Sequence, residues 1–284
     1  MAVTLGADLP GAVVSGDWLR SHLGDVVVVD VRWYLDGRSG REAYRAGHVP
    51  GAVFADVDAD LASPPSSEGG RHPLPSPERF AEVLGRLGIG PDVPVVAYDD
   101  AGGSTAARLW WLLHLLGQPA AVLDGGLAAW PGELQAGEVA VEPVERAPRP
   151  WPVERIVPID DVERRRDEPG ALLLDARAAN RYAEGDSAID RRPGHIPGAV
   201  SAPWAGNLDP TGRFLAPEDL RARYAGLGVG DGPVVAYCGS GVTACHDLLS
   251  LHLAGFDDTA LFVGSWSAWA ADDDRPIEVG AAAT

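Results

Sequence analysis

The chain has 284 residues, 46% of them hydrophobic, and a formal charge of −18 from 41 acidic and 23 basic side chains. That length supports one large domain or two ordinary ones with full cores, and the negative balance argues against nucleic acid and anionic membrane surfaces as partners. Every one of the 23 basic residues is arginine, so Schiff-base chemistry on lysine and P-loop phosphate binding are excluded. No apolar run reaches membrane-spanning length. Met1 to Pro10 lacks a basic segment followed by an apolar one, so we expect no secretory leader, no membrane partner and a cytoplasmic location. The two cysteines, Cys238 and Cys245, stand seven apart. They form neither a disulfide framework nor a zinc pattern, which fits a reducing compartment and a protein without metal or cofactor.

Taken in order, the chain alternates apolar runs with helical signals. Ser15 caps a helix that closes before Gly24, and Val26–Val29 is a buried strand running into Asp30-Val-Arg32. Gly47-His-Val-Pro-Gly-Ala-Val53 is a turn leading into another extended segment. Ser76-Pro77-Glu78 places cap, proline and acid where a helix start prefers them, and that helix runs to about Gly88. Val95–Tyr98 is a strand, and Thr105 to Leu116 an apolar helix closed by Gly117. From about Gly132 to Pro158 the chain is rich in Pro, Glu and Arg without periodicity, which predicts an extended linker. Beyond it the strands resume at Leu172–Leu174 and Val234–Tyr237, followed by a helix over Val242 to Ala254 that ends at Gly255. Asp272-Asp-Asp-Arg-Pro is expected to be a solvated tail.

The second half repeats the first. Asp30-Val-Arg32 matches Asp175-Ala-Arg177, and Gly47-His-Val-Pro-Gly-Ala matches Gly194-His-Ile-Pro-Gly-Ala. Val95-Val-Ala-Tyr98 matches Val234-Val-Ala-Tyr237, and the Trp130 region matches Val263-Gly-Ser-Trp-Ser-Ala-Trp269. Tyr to final Trp spans 32 residues in both copies. A period this long is a duplicated domain rather than a solenoid. The expected organisation is a domain at 1–132, a linker at 133–158 and a second domain at 159–284. Strands apolar on both faces and alternating helices make each an α/β domain, with helices on both sides of a parallel sheet.

The chemistry sits in Cys238-Gly-Ser-Gly-Val-Thr243, where a buried strand turns into a helix. Such a turn aims unpaired backbone N–H groups at one spot, and Gly239 and Gly241 let the backbone curl around it. Those donors favour a thiolate on Cys238, which makes it a nucleophile. A small buried cysteine closing a strand is the plainer reading. The first copy has Tyr98-Asp99-Asp-Ala-Gly-Gly-Ser104 in the same place, with Asp99 at the pivot. A carboxylate there carries no sulfur, so the first domain keeps the fold and loses the site. Both copies contain His48 or His195 and an Asp–Arg pair, so these are structural: a turn hydrogen-bonder and an ion pair. Trp110, Trp111, Trp130, Trp266 and Trp269 are packing residues, and Cys245 is a buried small residue.

These motifs together resemble the tandem-domain rhodaneses, a family of sulfurtransferases, over nearly the whole chain. The resemblance implies a parallel five-stranded sheet with helices on both faces in each domain. It also implies covalent catalysis in two halves: Cys238 takes a sulfur atom as a persulfide and hands it to a thiol, or to cyanide in an assay. The partners implied are a small-molecule sulfur donor and a thiol acceptor such as a thioredoxin-like protein. Thiosulfate-preferring members carry two basic residues directly after the cysteine. Here Gly239 and Ser240 stand there, as in the 3-mercaptopyruvate sulfurtransferases. In that type a Ser–His–Asp set handles the proton, which by motif position is Ser240 with His72 and Asp58. Gly239, Gly241, Val242 and Thr243 line the loop, and Arg181, six after Asp175, is the implied clamp for the donor's carboxylate. The family's second arginine has no residue at its usual spacing, where Ala188 stands; Arg191 or Arg192 would take its place. Thiosulfate remains an alternative donor. A non-catalytic rhodanese-like binding module is disfavoured by Cys238 and its glycines. A Cys-x5-Arg phosphatase is rejected because Ala244 occupies the arginine position.

Overall fold

The computed structural model describes residues 8–186 and 188–280; most of the Met1 to Pro10 stretch behind the leader expectation lies outside the described residues. The chain divides into two compact units. Unit 1 comprises the chain up to Ser63, Pro75–Trp151 and Pro210–Phe214; unit 2 comprises Pro64–Leu74, Pro152–Asp209 and the chain from Leu215. These differ from the expected boundaries in two places. Pro64–Leu74 packs with the second unit although it lies in the first repeat, and most of the expected linker packs with the first.

Unit 1 contains β1 (Val13–Val14), α1 (Gly16–Ser21), β2 (Val27–Asp30), α2 (Gly40–Ala46), β3 (Val53–Phe54), α3 (Pro77–Arg86), β4 (Val95–Tyr98), α4 (Ala106–Leu115) and β5 (Ala120–Leu123). Its five strands are all parallel, in the order β1-β5-β4-β2-β3. The predicted helix starts hold: Ser15 Oγ accepts from Trp18 N–H and Ser76 Oγ from Arg79 N–H, each satisfying one orphan donor of the first turn. The linker runs back along this unit. Val144 N–H bonds Gly85 O, and the Arg146 guanidinium holds the carbonyls of Ile89 and Gly90. Gly85 is required there, since a Cβ would stand 2.5 Å from Val144 O.

Unit 2 contains β6 (Ile156–Val157), α5 (Val162–Arg166), β7 (Leu172–Asp175), α6 (Ala179–Ala183), β8 (Val200–Ser201), α7 (Pro217–Gly226), β9 (Val234–Tyr237), α8 (Ala244–Leu253), β10 (Thr259–Phe262) and α9 (Ser265–Trp269). Its sheet repeats the parallel order, β6-β10-β9-β7-β8. Strand β6 lies inside the expected linker; two residues are too few to show a period. Trp266 and Trp269 are fully buried with Phe262, Tyr237 and Leu173 in the core under α9. The expected solvated tail is instead tied down. Trp269 Nε1 donates to Pro276 O, Arg275 pairs with Asp160, and Glu278 exchanges backbone hydrogen bonds with His195.

The same buried frame appears in both units at the carboxyl end of the strand beside the central one, β2 and β7. Arg177 forks onto Asp175, with Nε and NH2 at 3.0 and 2.6 Å, and its NH2 also reaches Gly194 O at 2.8 Å. Arg32 does the same with Asp30 and Gly47 O. His195 and His48 each place Nδ1 on a helix carbonyl, that of Tyr182 or Tyr44, and stack on the same tyrosine. The Gly-His-x-Pro-Gly turn is thus bolted to the strand end by an ion pair, as the duplication implied. Both side chains of Arg177–Asp175 are fully buried. Replacing Arg177 with Met leaves Asp175 as an uncompensated buried charge, so urea denaturation should show a loss of about 3–5 kcal/mol.

Candidate active site

Strand β9 ends at Tyr237, and Cys238 follows it, 2% exposed, before α8 opens at Ala244. The Gly241 N–H donates to Cys238 Sγ at 3.1 Å. The loop is gripped from its other side by the start of α9. Cys238 N–H donates to Ser265 Oγ at 3.2 Å, Trp266 N–H to Cys238 O at 2.9 Å, and Ser267 N–H to Gly239 O at 3.0 Å. This is what Gly264-Ser-Trp-Ser-Ala-Trp269 does for the site. Gly241 sits at φ +81°, and a Cβ on it would stand 2.6 Å from Val263 O, so the turn needs glycine. At Gly239 a Cβ would lie 3.0 Å from the NH2 atoms of both Arg181 and Arg71. Val242 is buried at 4%, and Thr243 is the residue capping α8.

The corresponding loop of unit 1 holds an anion of its own. Asp99 Oδ1 accepts from the N–H groups of Ala101 and Gly103, and Oδ2 from those of Thr105 and Ala106, at 2.8–2.9 Å. The hydroxyl of Thr105 adds a fifth donor at 3.1 Å. Helix α4 begins seven residues after Asp99 and α8 six after Cys238. The first loop is therefore one residue longer, and Thr243 corresponds to Thr105 rather than to Ser104. The amide ring is present in unit 1, and the carboxylate fills it.

Ser240 and His72 are brought together: Nδ1 lies 2.7 Å from Oγ, and both residues are under 9% exposed. His72 reaches this place because its segment is pinned. Ser66 and Gly70 exchange backbone hydrogen bonds, Gly70 turns at φ +71° against Gly264 O, and Arg71 N–H donates to Ser267 Oγ at 3.0 Å. Asp58 belongs to unit 1, where its Oδ2 accepts from Trp33 Nε1 at 2.9 Å.

Arg181 lies beside the loop, as expected, and forms a two-pronged pair with Asp190 through Nε and NH2. Arg191 and Arg192 do not join it. Arg191 is exposed and pairs with Asp273, while Arg192 holds the carbonyls of Asp272 and Arg275. Asp190, not an arginine, stands next to Arg181, and the following pair turns towards the C-terminal segment. The second guanidinium beside Gly239 is Arg71. Its position immediately before His72 was the signal available in the sequence, but only the packing of Pro64–Leu74 into unit 2 gives that position meaning. No group of acidic, histidine or cysteine side chains that could hold a metal occurs among the described residues. Neither cysteine is in a disulfide, and Cys245 Sγ donates to Gly241 O.

Cys238, buried at a strand-to-helix turn with the Gly241 amide on its sulfur, stands where the other parallel domain has a carboxylate held by four amides, and the two make an α/β protein of duplicated design. The rhodanese-like domain model matches at residues 15–133 and 158–272, and the chain belongs to the rhodanese family. A Pseudomonas aeruginosa protein named a probable 3-mercaptopyruvate sulfurtransferase is 44% identical over 265 residues, covering 90% of this chain and 93% of that one. The Mycobacterium tuberculosis protein SseB, provisionally named a thiosulfate sulfurtransferase, is 37% identical over 290 residues, covering 97% and 96%. The crystal structure of SseA from Escherichia coli, described as a 3-mercaptopyruvate sulfurtransferase, superposes with a TM-score of 0.77 at 34% identity, covering 90% of this chain and 99% of that one. No helix among the described residues is long and apolar enough to cross a membrane.

Helix α8, which follows the loop, also buries Asp247. Its Oδ1 accepts from Asn207 Nδ2 at 2.7 Å, Asn207 is held in turn by Arg223, and Oδ2 has no hydrogen-bond partner. Burial pushes this carboxyl up to about 7, against the lowering effect of Asn207, Arg223 and Tyr224. Unfolded, it releases its proton near pH ~4. The folded state therefore holds the extra proton between those values, and this group's contribution to stability is lost as pH rises through the window, by up to ~4 kcal/mol. Urea midpoints at pH 5 and pH 8 should differ in the native protein, and Asp247→Asn should reduce that difference. At the loop itself, Gly241→Ala should abolish sulfur loading of Cys238, read as the missing mass of one sulfur after incubation with donor.

Proposed function

We propose that this protein takes sulfur from 3-mercaptopyruvate onto Cys238 and passes it to a thiol. The observation that carries this reading is the 2.7 Å contact between Ser240 and His72 beside a loop whose two residues after the cysteine are uncharged. In the first half-reaction the Cys238 thiolate attacks the donor's sulfur. An S–S bond forms, the C–S bond breaks, and its electron pair stays on the departing methylene carbon. That carbon must gain a proton to become pyruvate, so a proton-handling pair is needed. Ser240 and His72 are in position to supply it, and Asp58 is the acid that the family resemblance adds to them. In the second half an acceptor thiolate attacks the outer sulfur, regenerating Cys238. The acceptor is a small thiol or a thioredoxin-like protein, with ping-pong kinetics. Arg181 and Arg71, the two guanidiniums beside Gly239, bind the donor's carboxylate. Two free cysteines support a reducing, cytoplasmic setting.

Thiosulfate is the second reading, favoured by the two guanidiniums beside Gly239 and by the likeness to SseB. Thiosulfate leaves as sulfite and requires no carbon protonation. His72→Ala should therefore lower kcat with 3-mercaptopyruvate by roughly 10²-fold or more while sparing the thiosulfate reaction. A higher kcat/KM for thiosulfate in the native enzyme would overturn the donor assignment. Intact mass after donor treatment should show one added sulfur, absent in Cys238→Ser.

A further inference from the structure

The turn that follows the last strand has the same backbone in both units but not the same residue. Leu127 N–H donates to Asp99 O at 2.8 Å and Trp266 N–H to Cys238 O at 2.9 Å, so Gly126 corresponds to Ser265. Both are left-handed, at φ +60° and +52°. Glycine takes that conformation without steric cost, and serine does not. Asp92 and Ser265 are the two non-glycine residues with positive φ among the described ones, and aspartate is the better suited of the two to that region. Unit 2 therefore carries backbone strain at the turn that grips its nucleophile, where unit 1 has the residue that avoids it. Ser265 is fully buried, and its hydroxyl is used twice: Oγ accepts from Cys238 N–H at 3.2 Å and donates to Phe262 O at 2.9 Å. Direct pairing of β9 with β10 ends at Ala236 and Leu261. The hydroxyl stands just beyond that point and ties the backbone of Cys238 to the end of β10.

We propose that Ser265 is a positioning residue for sulfur transfer: its hydroxyl fixes the backbone of Cys238 so that the sulfur stays on the Gly241 N–H, and the fold accepts a left-handed serine to keep that oxygen in place. Cys238 N–H is held by Ser265 Oγ and Cys238 O by Trp266 N–H, so both polar backbone groups of the nucleophile are tied to one turn. With the backbone fixed, side-chain rotation alone places Sγ, which Gly241 N–H meets at 3.1 Å. Glycine at position 265 would be less strained but has no oxygen to offer. Without the hydroxyl, Cys238 N–H and Phe262 O are buried and unpaired, and the backbone of Cys238 shifts to satisfy them. Both bonds of the hydroxyl go to backbone, so Ser265 acts on the reaction through Cys238, whichever donor supplies the sulfur.

The test uses Ser265→Gly and Ser265→Ala in the full chain. Glycine removes the hydroxyl and the strain together, whereas alanine removes the hydroxyl and keeps a Cβ at positive φ. Urea midpoints should place alanine below glycine in stability. Sulfur loading of Cys238 is then followed by intact mass in single turnovers, with 3-mercaptopyruvate and with thiosulfate over a range of concentrations. Both variants should load roughly tenfold or more slowly than the native protein at saturating donor, and by similar factors despite their different stabilities. The half-saturating donor concentration should not change, and the end point should remain one sulfur per chain. A merely structural role would lower that end point, through loss of folded protein, and leave the rate of the remainder alone. Loading of Ser265→Gly within twofold of native overturns the inference, whether or not alanine is slow, because the strain and not the oxygen would then be at fault. A higher half-saturating concentration with an unchanged maximal rate also overturns it. Glycine is the residue at the corresponding position 126, so the turn accommodates it. Since both donors are used, a failure of the 3-mercaptopyruvate reading shows as a preference between donors and leaves the effect of Ser265 to be read from the other one.

Discussion

Where a parallel strand ends and a helix begins, the backbone aims its unpaired N–H groups at one point, and something negative must sit there. Everything distinctive about this protein follows from that constraint. In unit 1 the chain supplies the anion itself: the Asp99 carboxylate takes four amides and a hydroxyl. In unit 2 the same position holds Cys238, whose sulfur accepts from Gly241. The pivot residue, together with a loop one residue shorter, separates the cysteine loop of unit 2 from the carboxylate-filled loop of unit 1.

The loop can be used only because its surroundings are immobile. The buried Asp175–Arg177 pair fixes the end of the neighbouring strand to the Gly194 turn. Tyr237 joins that frame, its hydroxyl accepting from Ile196 N–H. On the other side the start of α9 meets the loop backbone through Ser265, Trp266 and Ser267, and the same Ser267 hydroxyl receives Arg71 N–H. The helix that grips the nucleophile's loop thus also positions the segment bearing Arg71 and His72. Buried ion pairs contribute little net stability against apolar substitutes. Their value here is geometric, since they hold the Gly194 turn and the Arg181 guanidinium in fixed places.

Much of this was legible in the residues. Runs apolar on every position marked the central strands, serines before acidic or proline-led segments marked helix starts, and the doubled Asp-x-Arg and Gly-His-x-Pro-Gly blocks marked a repeated frame. The pivot comparison of Asp99 with Cys238 needed no coordinates. What was not legible was placement across long separations. Arg191 and Arg192 were reasonable candidates by spacing, and they turned towards residues 272–275 because Asp190 claims the place beside Arg181. The apparent acidic tail is part of the fold through Arg275, Pro276 and Glu278. Two-residue strands such as β6 carry no period to detect.

The sequence by itself determined the fold class and the duplication and singled out Cys238, because these depend on local periodicity and on the residues of one turn. Only the tertiary structure decided which cations and which imidazole face that turn. Pro64–Leu74 lies about 170 residues from Cys238 in the chain, and its side chains reach the loop because glycines at 70 and 264 let two backbones approach closely. Charge pairing then distributes the arginines: Arg177 goes to Asp175 and Arg181 to Asp190. That outcome depends on three-dimensional neighbours, which no spacing rule along the chain contains.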